Sequence, residues 1–147
     1  MKILEVLTQK RLTGNLGERA AARYLFFKGY RILKRNFVAM NHEIDIIARK
    51  GRTTAFVEVK TRNVKSLGST EPRPASAVTP EKQLKIIKAA NYYKTHNNFN
   101  TRMRFDIIEV YIESSTGKQK IKDIKHLIGA FDMDTARRAD FKKYKNT

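Results

Sequence analysis

Hydrophobic positions along the chain change period several times, and each change marks an element. Asn15 followed three residues later by Glu18 has the form of a capping box, after which Leu16, Ala20, Tyr24 and Phe27 recur at helical spacing until Gly29. This predicts a helix from about Asn15 to Lys28, closed by Gly29 as the left-handed residue beyond its end. YRILKRNF, residues 30–37, reads as a strand that leads into a polar turn around Asn41. Two apolar segments follow, 43–49 and 54–61, separated by Lys50, Gly51, Arg52 and Thr53, and the glycine at the turn predicts a hairpin. Residues 62–79 hold Gly68, Pro72 and Pro74 among serines and threonines, without sustained period, and predict a long loop of the kind that often carries function. Thr79 as N-cap and Pro80 at the first helical position start a second helix, which reaches about His96 with Leu84, Ile87 and Asn91 on one stripe. A long strand over 103–113 turns at 115–117 into a short strand over 120–124. The apolar run HLIGAF, 126–131, then precedes a polar, basic tail that is either a last helix or disordered. The order αβββαββ, without repeats or linkers, describes one mixed α/β domain.

Composition narrows the chemistry. At 147 residues and 41% hydrophobic content, one domain can bury a core without staples. The absence of cysteine removes disulfide frameworks, thiolate zinc sites, iron–sulfur clusters and thiol nucleophiles. Three scattered histidines (His42, His96, His126) do not form a metal-binding spacing. Glu5 interrupts the first apolar residues, so the start of the chain reads as neither a signal peptide nor a membrane span, and a cytoplasmic protein without membrane insertion is expected. The net charge of +17 is spread over the whole chain and not gathered in a tail. A domain basic all over can hold a polyanion against one face, which makes nucleic acid the leading partner. A solvated lysine surface or an anionic membrane surface carries the same composition.

The acids are informative because there are few of them. Strand alternation puts Glu43, Asp45 and Ile47 on one face of the first hairpin strand and Phe56, Glu58 and Lys60 on one face of the second. If the hairpin closes on a two-residue turn at Gly51 and Arg52, Asp45 stands opposite Glu58 and Glu43 opposite Lys60. Like charges so placed, with Cβ atoms about 4.5–5.5 Å apart, destabilise a sheet unless a cation intervenes. That cation could be Lys60, an arginine from elsewhere or a bound metal. Oxygen-only carboxylate ligation suits Mg²⁺ or Mn²⁺. With a lysine beside them and a basic envelope around them, such carboxylates suit phosphodiester hydrolysis. Glu43 also reads as a solvated strand end, Lys60 as a snorkelling lysine, and Glu18 as the glutamate of the capping box.

The ordered set Gly17-Glu18, Arg35-Asn36, Glu43-Ile44-Asp45, Phe56-Val57-Glu58-Val59-Lys60-Thr61-Arg62 and Arg104-Phe105-Asp106 resembles the YraN family of small bacterial proteins. That family looks like the archaeal Holliday-junction resolvases of the PD-(D/E)xK nuclease superfamily. The match runs from about Leu12 to Ile112 and weakly to Phe131. The resemblance implies a restriction-endonuclease-like mixed β-sheet flanked by helices, with 1–131 as the endonuclease-like domain and 132–147 as a basic tail outside it. It implies Asp45 and Glu58 as metal-binding carboxylates, Lys60 as the catalytic lysine, and Glu18 as a helix glutamate supporting the metal site. Gln83 matches a polar position near the active site of related nucleases, and Arg62 a phosphate contact. His42 departs from the family pattern, which usually has glycine before Glu-Ile-Asp.

The expected function is therefore a Mg²⁺- or Mn²⁺-dependent endonuclease acting on DNA, branched or structured DNA included, and, for a junction enzyme, a C2 homodimer. The alternative is a nucleic-acid-binding protein that retains the nuclease fold without catalysis.

Overall fold

A computed structural model describes residues 2–64 and 78–145. The elements run α1 (Lys2–Phe27), β1 (Arg31–Ala39), β2 (His42–Lys50), β3 (Thr53–Asn63), α2 (Pro80–His96), β4 (Arg102–Ser115), β5 (Lys118–Phe131) and α3 (Met133–Lys145). The strands form one five-stranded sheet in the order β1-β2-β3-β4-β5. The β3–β4 pair is parallel and the other three pairs are antiparallel, so α2 lies on the crossover that a parallel pair requires. This mixed α/β arrangement is consistent with the restriction-endonuclease-like fold.

The sheet is covered on both faces. Ala20, Ala21 and Leu25 of α1 pack with Ile46, Ala48, Ala55, Val57, Ile108 and Val110. Ile86, Ile87, Ala89 and Ala90 of α2 pack with Ile44, Ile47, Phe56, Phe105 and Ile107 on the other side, where Met133 at the start of α3 adds its side chain. The α2 stripe is rotated from the expected one: Ile86, Ile87, Ala89 and Ala90 are buried and Asn91 is exposed. An aliphatic stripe displaces an asparagine wherever the helix can turn to bury it.

Other elements differ from expectation in extent, and the tail takes the helical one of its two expected forms. The first helix begins at Lys2, so Asn15 and Glu18 lie inside a running helix and no capping box forms. The residues ahead of Asn15 include Leu, Lys, Gln and Arg, all good helix formers, and Gly14 costs only about 1 kcal/mol relative to alanine. The segments 120–124 and 126–131 are one strand, carried past its irregularities by register shifts against β4 and by Gly129 at φ +61°. The tail is helical, with Asp132 accepting hydrogen bonds from the Thr135 N–H (2.7 Å) and hydroxyl (2.8 Å). Of the loop expected over 62–79, Arg62 and Asn63 extend β3, and 65–77 lie outside the described residues.

Two local devices seat α1. Its C-terminus closes as a Schellman motif: Gly29 at φ +91° donates to Phe26 O (3.0 Å), and the Tyr30 N–H to Leu25 O (2.9 Å). Nearer its middle, Gly17 faces β3 so closely that an added Cβ would collide with Thr61 Oγ1 and stand 3.3 Å from Thr61 Cβ. Glycine at this position lets the helix backbone settle onto the strand that carries Glu58 and Lys60.

Candidate functional site

The hairpin register is the expected one from Lys50–Thr53 to Ile46–Val57, the last pair of the ladder. Next in line come Asp45 and Glu58. Here a side chain replaces the ladder: Asp45 Oδ2 accepts the Val59 N–H at 2.7 Å. The alternation of β2 also breaks at this point. Ile46 packs under α1 whereas Ile44, two residues away, packs under α2. The expectation that Glu43, Asp45 and Ile47 share one regular strand face is therefore corrected. Across on β1, between the pairs Arg35–Ile46 and Phe37–Ile44, Asn36 has a left-handed backbone at φ +53°, which is incompatible with a regular pleat.

The break gathers three acids. Glu18 from α1 and Glu43 and Asp45 from β2 each present a carboxylate oxygen within 4.8 Å of the others. Three oxygen ligands with excess negative charge fit a hard divalent cation such as Mg²⁺ or Mn²⁺. Their crowding is visible in their acidity. Burial, then the charges of Glu58, Glu18 and Glu43, push the Asp45 carboxyl up to about 7, against the opposing hydrogen bond from Val59. Burial and the Glu43 charge also raise Glu18, with Arg35 pulling the other way.

Glu58 has different company. It is 7% exposed, and its Oε1 lies 2.6 Å from Lys82 Nζ and 3.7 Å from Lys60 Nζ. The two ammonium groups share one carboxylate. Burial, followed by the hydrogen bond and charge of Lys82, lowers Lys60, whereas for Lys82 burial is outweighed by the bond and charge of Glu58 and it is raised. The structure thus brings Glu18, Glu43, Asp45, Glu58 and Lys60 to one end of the hairpin, divided into an acidic trio and a carboxylate held by two lysines.

Of the remaining sequence residues, Gln83 and Arg62 are engaged elsewhere. Gln83 donates from Nε2 to Val78 O at 3.0 Å, bracing the start of α2. Arg62 Nε lies 2.8 Å from the buried Glu109, which also accepts a hydrogen bond from Tyr111. His42, half-buried at the start of β2, keeps Nε2 without a hydrogen-bond partner; burial lowers its pKa, against the charge of Glu58. Lys82 was absent from the sequence candidates, and Asn36 stood among them only as part of the family motif, without a role. Lys82 leaves a faint signal, because a cation in the first turn of a helix runs against the macrodipole and calls for an anion nearby.

Comparison with known proteins gives a consistent assignment. The model of the uncharacterised protein family UPF0102 matches residues 17–110. A UPF0102 protein of Caldanaerobacter subterraneus subsp. tengcongensis is 42% identical over 123 residues, covering 83% of this chain and 96% of the relative. One from Chlorobium limicola is 44% identical over 125 residues (83% and 93%), and one from Clostridioides difficile 41% over 119 residues (80% and 95%). The matched span holds the acidic trio, Glu58 and both lysines.

Proposed function

The chain belongs to the UPF0102 (YraN) family, and we propose that it is a divalent-metal-dependent endonuclease hydrolysing phosphodiester bonds in DNA. The observation that carries this reading is the acidic trio of Glu18, Glu43 and Asp45 set beside a carboxylate with two lysines, in a chain of net charge +17. Three crowded acids are a cost to folding, and a polyanion-binding protein gains from that cost only if a cation joins substrate to site.

Glu18, Glu43 and Asp45 would hold Mg²⁺ or Mn²⁺, with Glu43 in the place the family resemblance implies for Glu58, whose carboxylate is taken up by Lys82 and Lys60. Such an ion polarises a phosphoryl oxygen and acidifies water at neutral pH. The chain's own groups do the rest. Lys60 and Lys82 present ammonium donors to the non-bridging phosphate oxygens, where negative charge grows during hydrolysis. Glu58 holds both lysines in place before substrate arrives, so their ordering is not a cost of binding. The basic surface carries the sequence-independent grip on the backbone. The resemblance to junction resolvases favours branched or structured DNA, and cutting two strands of a junction calls for a C2 pair of chains.

A panel of labelled duplex, flap and four-way-junction DNA with Mg²⁺ and Mn²⁺ tests the reading. Asp45→Ala and Lys60→Ala are expected to abolish cleavage while salt-sensitive binding persists. Undiminished cleavage by both purified variants would overturn it. The neutralisation of Glu58 by two lysines favours one other reading, a binding module without catalysis; it predicts tight binding, no cleavage with any divalent ion, and no metal-dependent rise in Tm.

A further inference from the structure

Asn36 belongs to the motif set at the site, its chemistry is unused by the proposed reaction, and its geometry is unusual in both backbone and side chain. Its backbone is left-handed at φ +53° in the middle of a strand, although neither neighbour along β1 shares that conformation. Asparagine tolerates this region better than other residues with a Cβ, but a non-glycine residue held there still costs stability. Its side chain meets two carboxylates at once. With the amide nitrogen turned toward them, the orientation in which its oxygen does not face acceptors, Asn36 donates to Glu18 Oε2 at 3.1 Å and to Glu43 Oε1 at 2.9 Å.

We propose that Asn36 is a positioning residue that clamps Glu18 of α1 and Glu43 of β2 into one cation-binding arrangement with Asp45. The inference rests on the reading of the trio as a divalent-metal site. The physical argument begins with connectivity. Glu18 and Glu43 stand on different elements, and two like charges at contact distance repel. One amide with two N–H groups bonds one carboxylate with each, fixing both positions while leaving their other oxygens free. A regular residue at position 36 would send its side chain along the pleat. The left-handed backbone instead re-aims it across from Asp45, at the point where the alternation of β2 fails. The strain at Asn36 and the convergence of the acids are thus two sides of one local distortion.

Hydrogen bonds that orient metal-binding groups typically carry 10–100-fold in metal affinity. Glycine at position 36 keeps the left-handed backbone at no steric cost and removes only the amide. The experiment titrates Mn²⁺ into the full chain, reading free Mn²⁺ by its EPR signal, and measures Tm in EDTA for the same samples. For Asn36→Gly the expected result is Mn²⁺ affinity at least tenfold weaker than wild type, with Tm in EDTA equal or higher. A residue serving the fold alone would lower Tm and leave affinity in place. Asn36→Gly binding Mn²⁺ within twofold of wild type overturns the clamp while the metal reading stands. Wild type binding no Mn²⁺ overturns the metal reading and the clamp with it. Asn36→Asp is the second arm: it accepts φ +53° but offers a charge where two donors stood, and a lower Tm in EDTA that Mn²⁺ restores supports the assignment.

Discussion

Asp45 and Asp106 are both aspartates set into strands of the same sheet, in opposite company. Asp106, fully buried on β4, accepts hydrogen bonds from Arg104 Nε (2.8 Å) and Nη2 (2.7 Å), from the Gly129 N–H (3.0 Å), and meets His126 Nε2 at 2.8 Å. Arg104 donates in turn to Tyr30 Oη at 2.7 Å, which ties β4 to the end of α1. Burial alone would raise this carboxyl, but the bonds from His126, Arg104 and Gly129 prevail and hold it below the usual range. Among the described residues Asp45 has a single backbone donor, Val59, and its carboxyl is pushed up to about 7 by burial and by the acids around it. The saturated aspartate is cement. The undersupplied one weakens the fold at neutral pH, and it makes physical sense where a cation arrives from outside.

The largest effect expected from this contrast is at Asp106. Asp106→Ala leaves Arg104 and His126 without their anion in the interior and should cost about 3 kcal/mol or more. For a domain of this size that lowers Tm by on the order of 10 °C. Differential scanning fluorimetry reads it directly, and added Mn²⁺ should not repair it. An unchanged Tm would show that the network is decoration.

Asp45→Asn should act in the opposite direction. The folded-state carboxyl is raised from 3.8 to about 7, so the charged form is disfavoured in the native state. Native stability is then full below about pH 4 and declines as pH rises toward 7, because the unfolded state gives up its proton first. Asparagine keeps an acceptor for Val59 and never ionises. Urea unfolding at pH 8 should find the variant more stable than wild type by about 2–4 kcal/mol, with the gap closing near pH 4. A pH-independent difference would break the comparison.

The smallest effect belongs to the surface. Lys122 and Glu113 form an ion pair at 3.0 Å with about half of each side chain exposed. Lys122→Ala should change stability by no more than about 0.5 kcal/mol, sharpening the point that burial, and not pairing as such, separates Asp106 from ordinary salt bridges. Chemical denaturation at low and high salt suffices to check it.

Local patterns made much of this legible in advance. The two-residue turn at Gly51 and Arg52 fixed the pairing of β2 with β3, because the glycine and the apolar runs on either side admit little else. Thr79 and Pro80 marked the start of α2, where Thr79 Oγ1 accepts the Lys82 N–H at 3.2 Å. At the start of α1 the capping spacing of Asn15 and Glu18 is a coincidence; a local motif does not tell whether a helix is already running when it is reached. The difference matters for Glu18, whose side chain turns toward Glu43 and Asp45 and not back to its own backbone. Lys82 could be recognised only in three dimensions, since Glu58 is far from it in sequence, whereas Asn36 stood in the family motif and only its role needed the fold. Gln83 shows the converse: adjacent to Lys82, it spends its amide on the backbone of its own helix entry.

The contact between Gly17 and Thr61 has a consequence for how the protein tolerates change. The gap between α1 and β3 is calibrated by a methyl group that is not there. Glu18 follows Gly17 directly, so whatever lifts the helix from the sheet also withdraws one carboxylate from the other two. A residue with no functional group of its own thus bears on the spacing of the acidic trio, through an empty space one carbon wide.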